Sequence, residues 1–152
     1  YANYAELPSH FQILDSDDQL RLIKRILQEA GHDPDTLEPK RVQGFINRNK
    51  DEGLRPSQLA HSFMADVAAM TEVYRLYELH CQRAGVIDFA ELLLRVYELL
   101  KKNPEILAHF HQQFKYVLVD EFQDTNTIQY KWLTLIASKE SHITIVGDDD
   151  QS

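Results

Sequence analysis

Residues 116–152, YVLVDEFQDTNTIQYKWLTLIASKESHITIVGDDDQS, decide how the rest of the chain is read. Tyr116, Val117, Leu118 and Val119 are too few for a helix and lack the polar alternation of a half-exposed strand. They predict a strand buried on both faces. Asp120 and Glu121 follow at once, and two charges cannot continue into a dry core without partners or a metal, so both carboxylates belong at the strand's carboxyl end. Over residues 126–137, Ile128, Trp132, Leu133, Leu135 and Ile136 recur at near-helical spacing, and residues 143–146 are a second short apolar run. Strand, helix, strand is the parallel crossover unit. The second run leads into Gly147-Asp148-Asp149-Asp150-Gln151, so two neighbouring strands deliver acid and amide groups to one edge. In open α/β sheets ligands bind beyond the carboxyl ends of the strands, and an acidic pair there is placed for a metal-bound phosphate.

Residues 119–126, VDEFQDTN, resemble motif II (Walker B) of the UvrD/Rep/PcrA group of superfamily 1 DNA helicases, and residues 147–152, GDDDQS, resemble the start of their motif III. The separation of the two fits as well. FQILDS at 11–16, KDEGLRP at 50–56 and DFAELLLR at 88–95 are similar to the same family, so the resemblance covers nearly the whole chain. It implies a mostly α fold with a small α/β part. Residues 1–114 would be a helical insertion subdomain of the 1B kind, and residues 115–152 part of a RecA-like P-loop motor domain.

The function implied is ATP-driven, 3′-to-5′ translocation on single-stranded DNA and unwinding of duplexes in repair and replication. ATP and Mg²⁺ would be the cofactors. Single-stranded and junction DNA would be the partners, with other repair proteins beside them, in the bacterial cytoplasm and near the nucleoid. By the same resemblance, Asp120 would hold Mg²⁺, Glu121 would act as general base on the lytic water, and Gln151 would touch the γ-phosphate. Gln123 and Asp124 would support that network. Two other functions stay open: the helicase subunit of a recombination nuclease, and a non-catalytic helical module that binds DNA or protein and whose acidic strand ends are inert.

The composition restricts the class further. A chain of 152 residues with 43% hydrophobic and 26% charged residues can hold one domain with a real core. A net charge of −8 argues against an extended basic surface for nucleic acid, although a local patch escapes that sum. The single cysteine, Cys81, excludes an intramolecular disulfide and a cysteine-rich zinc site, as suits a reducing compartment, and it reads as buried packing. No apolar run approaches the roughly 20 residues that span a bilayer, and no basic-then-apolar leader opens the chain, so a soluble, unexported protein is expected. A first residue other than Met and an end just past a strand suggest an excised piece. None of the five glycines precedes a lysine, so the GxxxxGK[ST] phosphate loop is absent from the sequence and the piece alone is not expected to hydrolyse ATP.

Upstream of residue 116 the pattern is helical. Residues 1–14 show no sustained period, are interrupted by Pro8, and read as a loop. Ser16 and Gln19 have the spacing of a capping box, after which Leu20, Ile23, Ile26, Leu27 and Ala30 mark one helix face ending at Gly31. Pro39 suits a first helical position, with Val42, Phe45 and Ile46 as the apolar stripe. Lys40, Gln43, Asn47 and Lys50 share the opposite face, which is read either as a phosphate-contacting surface or as an ordinary solvated one. Pro56-Ser57 opens a short helix to about His61. A long helix over residues 65–84 carries Val67, Met70, Tyr74, Tyr77 and Cys81, a core stripe stopped by Gly85. Asp88 and Glu91 form a second capping box before the amphipathic run of residues 92–102. Asn103-Pro104 starts another helix, with Ile106, Leu107 and Phe110 inward. His109 and His111, two apart on that helix, diverge and make no metal pair.

Overall fold

A computed structural model describes residues 2–5, 7, 10–33, 35–59, 64–138 and 140–148. Pro8, His61 and residues 149–152, which carry some of the expectations above, lie outside the described residues. The chain divides into two compact units, Tyr1–Leu92 and Leu93–Ser152.

The first unit is built on three helices: α1 (Ser16–Glu29), α2 (Pro39–Asp51) and α4 (Ala65–Ala84), with a single short turn of helix, α3 (Pro56–Leu59), between the last two. Their apolar stripes close on one another. Ile23, Ile26 and Leu27 of α1, Val42 and Ile46 of α2, and Met70, Val73, Tyr74, Tyr77 and Cys81 of α4 form one buried cluster. Each large side chain sealed in this way contributes about 1.5–3 kcal/mol. Helix α4 has the bounds its sequence period predicts. Gly85 ends it in the left-handed conformation, φ 66°, where a Cβ would be strained.

Two local expectations are corrected. The N-cap of α1 is Asp15, whose Oδ1 accepts from the Asp18 amide at 2.8 Å, and not Ser16. Asp15 wins because its carboxylate can reach the free amides of the first turn, and the Gln19 side chain is drawn inward instead. Nor is the region before residue 100 wholly helical. The strands β1 (Gln12–Leu14) and β2 (Val86–Asp88) pair in parallel, Ile13 opposite Ile87, and the Gln12 amide also bonds the Gly85 carbonyl at 3.0 Å.

Asp88 ends β2 and caps the next helix, α5 (Phe89–Lys102), accepting from the Glu91 amide at 2.7 Å as the sequence predicts. Its other oxygen accepts from Lys50 Nζ at 2.6 Å and from the Tyr77 hydroxyl at 2.8 Å. Lys50 also meets Glu91 at 2.9 Å, and Arg55 ties Glu91 to Glu78. Gln19 completes the set by bonding both Asn47 and Asp88. Lys50 is only 1% exposed. Burial alone would push its ammonium pKa down, but the Glu91 and Asp88 carboxylates outweigh that and hold it above the ordinary lysine value.

This overturns both readings of the Lys40 face for one of its members: Lys50 is neither solvated nor open to phosphate, because two carboxylates from β2 and α5 draw it inside. Asn47 is engaged with Gln19, and Gln43 bonds the Ser16 carbonyl at 2.7 Å. Lys40 alone of the three candidate DNA contacts projects from the exposed surface.

The second unit comprises α6 (Pro104–Gln113), β3 (Tyr116–Val119), α7 (Thr127–Ile136) and β4 (His142–Ile145), together with the carboxyl-terminal part of α5. The strands β3 and β4 pair in parallel from Tyr116 opposite His142 to Val119 opposite Ile145, and α7 crosses between them. Val117 and Val119 pack with Leu133 and Ile136 of α7 and with Ile106 of α6. The expectation that β3 is buried on both faces fails. Tyr116 and Leu118 on its other face are 79% and 70% exposed, because helices of this unit cover a single face of a sheet that has two strands among the described residues.

Candidate functional site

The site forms where β3 and β4 end. Apolar packing of Val117 and Val119 holds β3 in place, and the chain then leaves the sheet with Asp120 and Glu121, both exposed. Glu121 has φ 51°, among the described residues the one non-glycine in the left-handed region. That conformation is uncommon for a residue with a side chain and costs about 1–2 kcal/mol. It reverses the backbone into a short 3₁₀ turn, Phe122–Asp124, in which the Asp124 amide bonds the Glu121 carbonyl at 3.0 Å.

Asn126 then starts α7 with a complete capping box. Its side chain accepts from the Gln129 amide and the Gln129 side chain accepts from the Asn126 amide, each at 3.0 Å. Strand, acid pair, tight turn and capped helix therefore follow within seven residues of Val119.

The end of β4 is stitched to this turn. The Val146 amide donates to the Val119 carbonyl at 2.8 Å, and the Phe122 amide donates to the Val146 carbonyl at 3.2 Å. Side chains add to the main-chain links. Gln123 Nε2 donates to Glu121 Oε2, while Gln123 Oε1 accepts from the Asp148 amide at 3.1 Å. Asp120 Oδ1 accepts from the Glu121 amide at 3.0 Å. Asp120, Glu121, Asp124 and Gln129 stand along a cleft of about 770 Å³ whose lining is otherwise mostly apolar, with Val119, Trp132 and Leu133 among it.

The structure thus brings together four of the predicted site residues, Asp120, Glu121, Gln123 and Asp124. Gln151 lies outside the described residues. Lys40, Asn47 and Lys50 belong to the first unit. Gln123, expected only to support the acidic pair, joins the two strand ends. The sequence shows a glycine at 147, but the close approach of Gln123 that uses it appears only in the structure.

No group of three or more His, Cys, Asp or Glu among the described residues could by itself hold a metal. A hydrated Mg²⁺ asks less of a protein, since it keeps most of its water and is commonly held by one or two carboxylates together with substrate phosphates. An exposed aspartate at a strand end meets that requirement. Among the described residues, no helix is long and apolar enough to cross a membrane.

The small parallel sheet carries an acidic pair at its rim, and comparison with known proteins gives the family. The chain belongs to the UvrD/REP helicase N-terminal domain family, whose model matches residues 1–152. It is similar to DNA helicase II of Haemophilus influenzae, 52% identical over 96% of this chain and 20% of that protein. DNA helicase II of Escherichia coli is 49% identical over 97% of the chain and 21% of that protein. The ATP-dependent DNA helicase PcrA of Bacillus subtilis is 35% identical over 94% and 20% respectively. The chain spans about a fifth of the length of these curated relatives.

Proposed function

We propose that this chain is part of an ATP-dependent DNA helicase that moves 3′ to 5′ along single-stranded DNA and unwinds duplex and junction DNA in repair and replication. The observation that carries the proposal is the convergence of Asp120 and Glu121 with the end of β4 on one rim of a parallel sheet, in a chain of this family. Residues 1–114 would serve as a helical insertion subdomain and residues 115–152 as part of a RecA-like motor domain with its Walker B segment.

Magnesium bound with ATP would partly neutralise the charge of the γ-phosphate. Asp120 would hold the metal. Glu121 would accept a proton from the attacking water through its carboxylate, which Gln123 keeps in one orientation. Asp124 shapes the turn behind it, and Gln151 would contact the γ-phosphate. Lys40, exposed on α2, is the remaining candidate for a DNA phosphate contact.

The test is Glu121→Gln in the full-length protein. ATP binding should stay near the wild-type level while DNA-stimulated hydrolysis falls by on the order of 10²–10⁴-fold. Unchanged hydrolysis would remove Glu121 from the role of base.

A further inference from the structure

We propose that Gln123 is a positioning residue that couples the Glu121 carboxylate to the backbone leaving β4, so that movement of residues 147–148 re-aims Glu121. The inference rests on the assignment of Glu121 as base and adds a means of regulating it.

Three observations support it. The Gln123 side chain uses both ends of its amide, donating from Nε2 to Glu121 Oε2 and accepting at Oε1 from the Asp148 amide at 3.1 Å. An uncharged amide can donate and accept at once, which an ionised carboxylate cannot do. Second, a Cβ at position 147 would stand 3.0 Å from Gln123 Oε1 and 3.6 Å from the Phe122 Cβ. The backbone at Gly147 has no left-handed φ, so the demand for glycine comes from the seated amide and not from the turn. Third, the main-chain bonds from Val146 to Val119 and from Phe122 to Val146 hold the two strand ends together but do not involve the Glu121 side chain. Gln123 extends that linkage to the carboxylate.

The consequence is mechanical. Glu121 is exposed, and an exposed carboxylate samples several rotamers unless something fixes it, whereas proton abstraction needs it in one place. Because the group that fixes it is also bonded to Asp148, a shift of the segment after β4 changes where Gln123 Nε2 lies. Any event that moves that segment therefore alters the aim of the base.

The experiment uses the full-length protein. Gln123→Ala and Gly147→Ala should each lower kcat for DNA-stimulated ATP hydrolysis about 10–100-fold, with KM for ATP within about threefold of wild type. Because both break one linkage, the double variant should be no slower than the slower single variant. Gln123→Glu preserves the size of the side chain but cannot donate when ionised, and it should be as slow as Gln123→Ala; a packing role would spare it. Hydrogen exchange at the Asp148 amide, read without nucleotide, should quicken in Gln123→Ala and stay at the wild-type rate in Glu121→Gln. Wild-type kcat in Gln123→Ala, an increase confined to KM, additive losses, or unchanged exchange at Asp148 would each overturn the positioning role. If Glu121→Gln alone is inactive while Gln123→Ala is normal, the base assignment survives and the coupling fails. If Glu121→Gln turns over normally, the base assignment fails and the coupling with it.

Discussion

Lys50 Nζ lies 2.6 Å from Asp88 Oδ2, and both side chains are nearly sealed from water. The pair joins α2 to the residue that ends β2 and caps α5, so one charge holds three elements of the first unit. Glu91 and the Tyr77 hydroxyl complete its surroundings. Such a cluster depends on being complete, because removal of one partner leaves the others charged and dry.

Lys50→Met is therefore expected to destabilise the first unit by about 3–5 kcal/mol, even though methionine fills similar space, because Asp88 loses its counter-charge and Glu91 is left with Arg55. Urea denaturation followed by circular dichroism would measure it. A loss below about 1 kcal/mol would show that the carboxylates find other partners or take up protons without cost.

The same lysine sets an alkaline limit. Burial opposes its charge, yet Glu91 and Asp88 raise its pKa above the ordinary value of 10.5. A folded-state pKa above the unfolded one means that this contribution is fully present below about pH 10.5 and is lost as the pH rises through the folded value. Stability attributable to the cluster should be level through neutral pH and decline only in strong alkali. The urea midpoint of wild type compared with Lys50→Met across that range would test it. A difference that shrank between pH 6 and 9 would contradict the assignment.

Cys81 is expected to be inert in the folded chain. Burial pushes its thiol up to about 11, opposed in part by the Tyr77 hydroxyl and by Lys50. The thiolate is the reacting species, so native Cys81 should react with a disulfide reagent at pH 8 about 100-fold more slowly than the same residue in urea. Equal rates would show that α4 opens far more readily than its packing implies.

The isolated chain is expected to bind single-stranded DNA weakly. Its net charge is −8, and Lys50, the lysine that would complete a basic stripe with Lys40, is turned inward. Fluorescence anisotropy across a salt series would measure this, since phosphate contacts release counterions and weaken with salt. Tight, salt-sensitive binding, with a Kd below roughly 1 μM at physiological salt, would instead indicate an autonomous DNA module.

Periodic features were legible in the sequence and pairings between distant residues were not. Helix α4 could be read to its last residue because five core positions recur at helical spacing and Gly85 stops the pattern. The crossover from β3 through α7 to β4 was equally clear, since charge follows each apolar run. The three-residue strands β1 and β2 are too short to show a period, and their pairing brings together residues more than seventy positions apart. Lys50 was misplaced for a related reason: helical spacing alone puts it beside Lys40, while the carboxylates that pull it inward lie on another element. At the site, the acidic pair was legible by type and position. The bond from Gln123 to the Asp148 amide was not, because the close approach at Gly147 that permits it appears only once the strands are paired.

The backbone at Glu121, with φ 51°, sets folding against chemistry. Glycine would occupy that conformation freely, so Glu121→Gly should raise the melting temperature of the chain by a few degrees, corresponding to about 1 kcal/mol, while removing the carboxylate at the rim of the sheet. If Glu121 is the base proposed above, the strain at this position is the stability given up to hold a carboxylate at the sheet's rim.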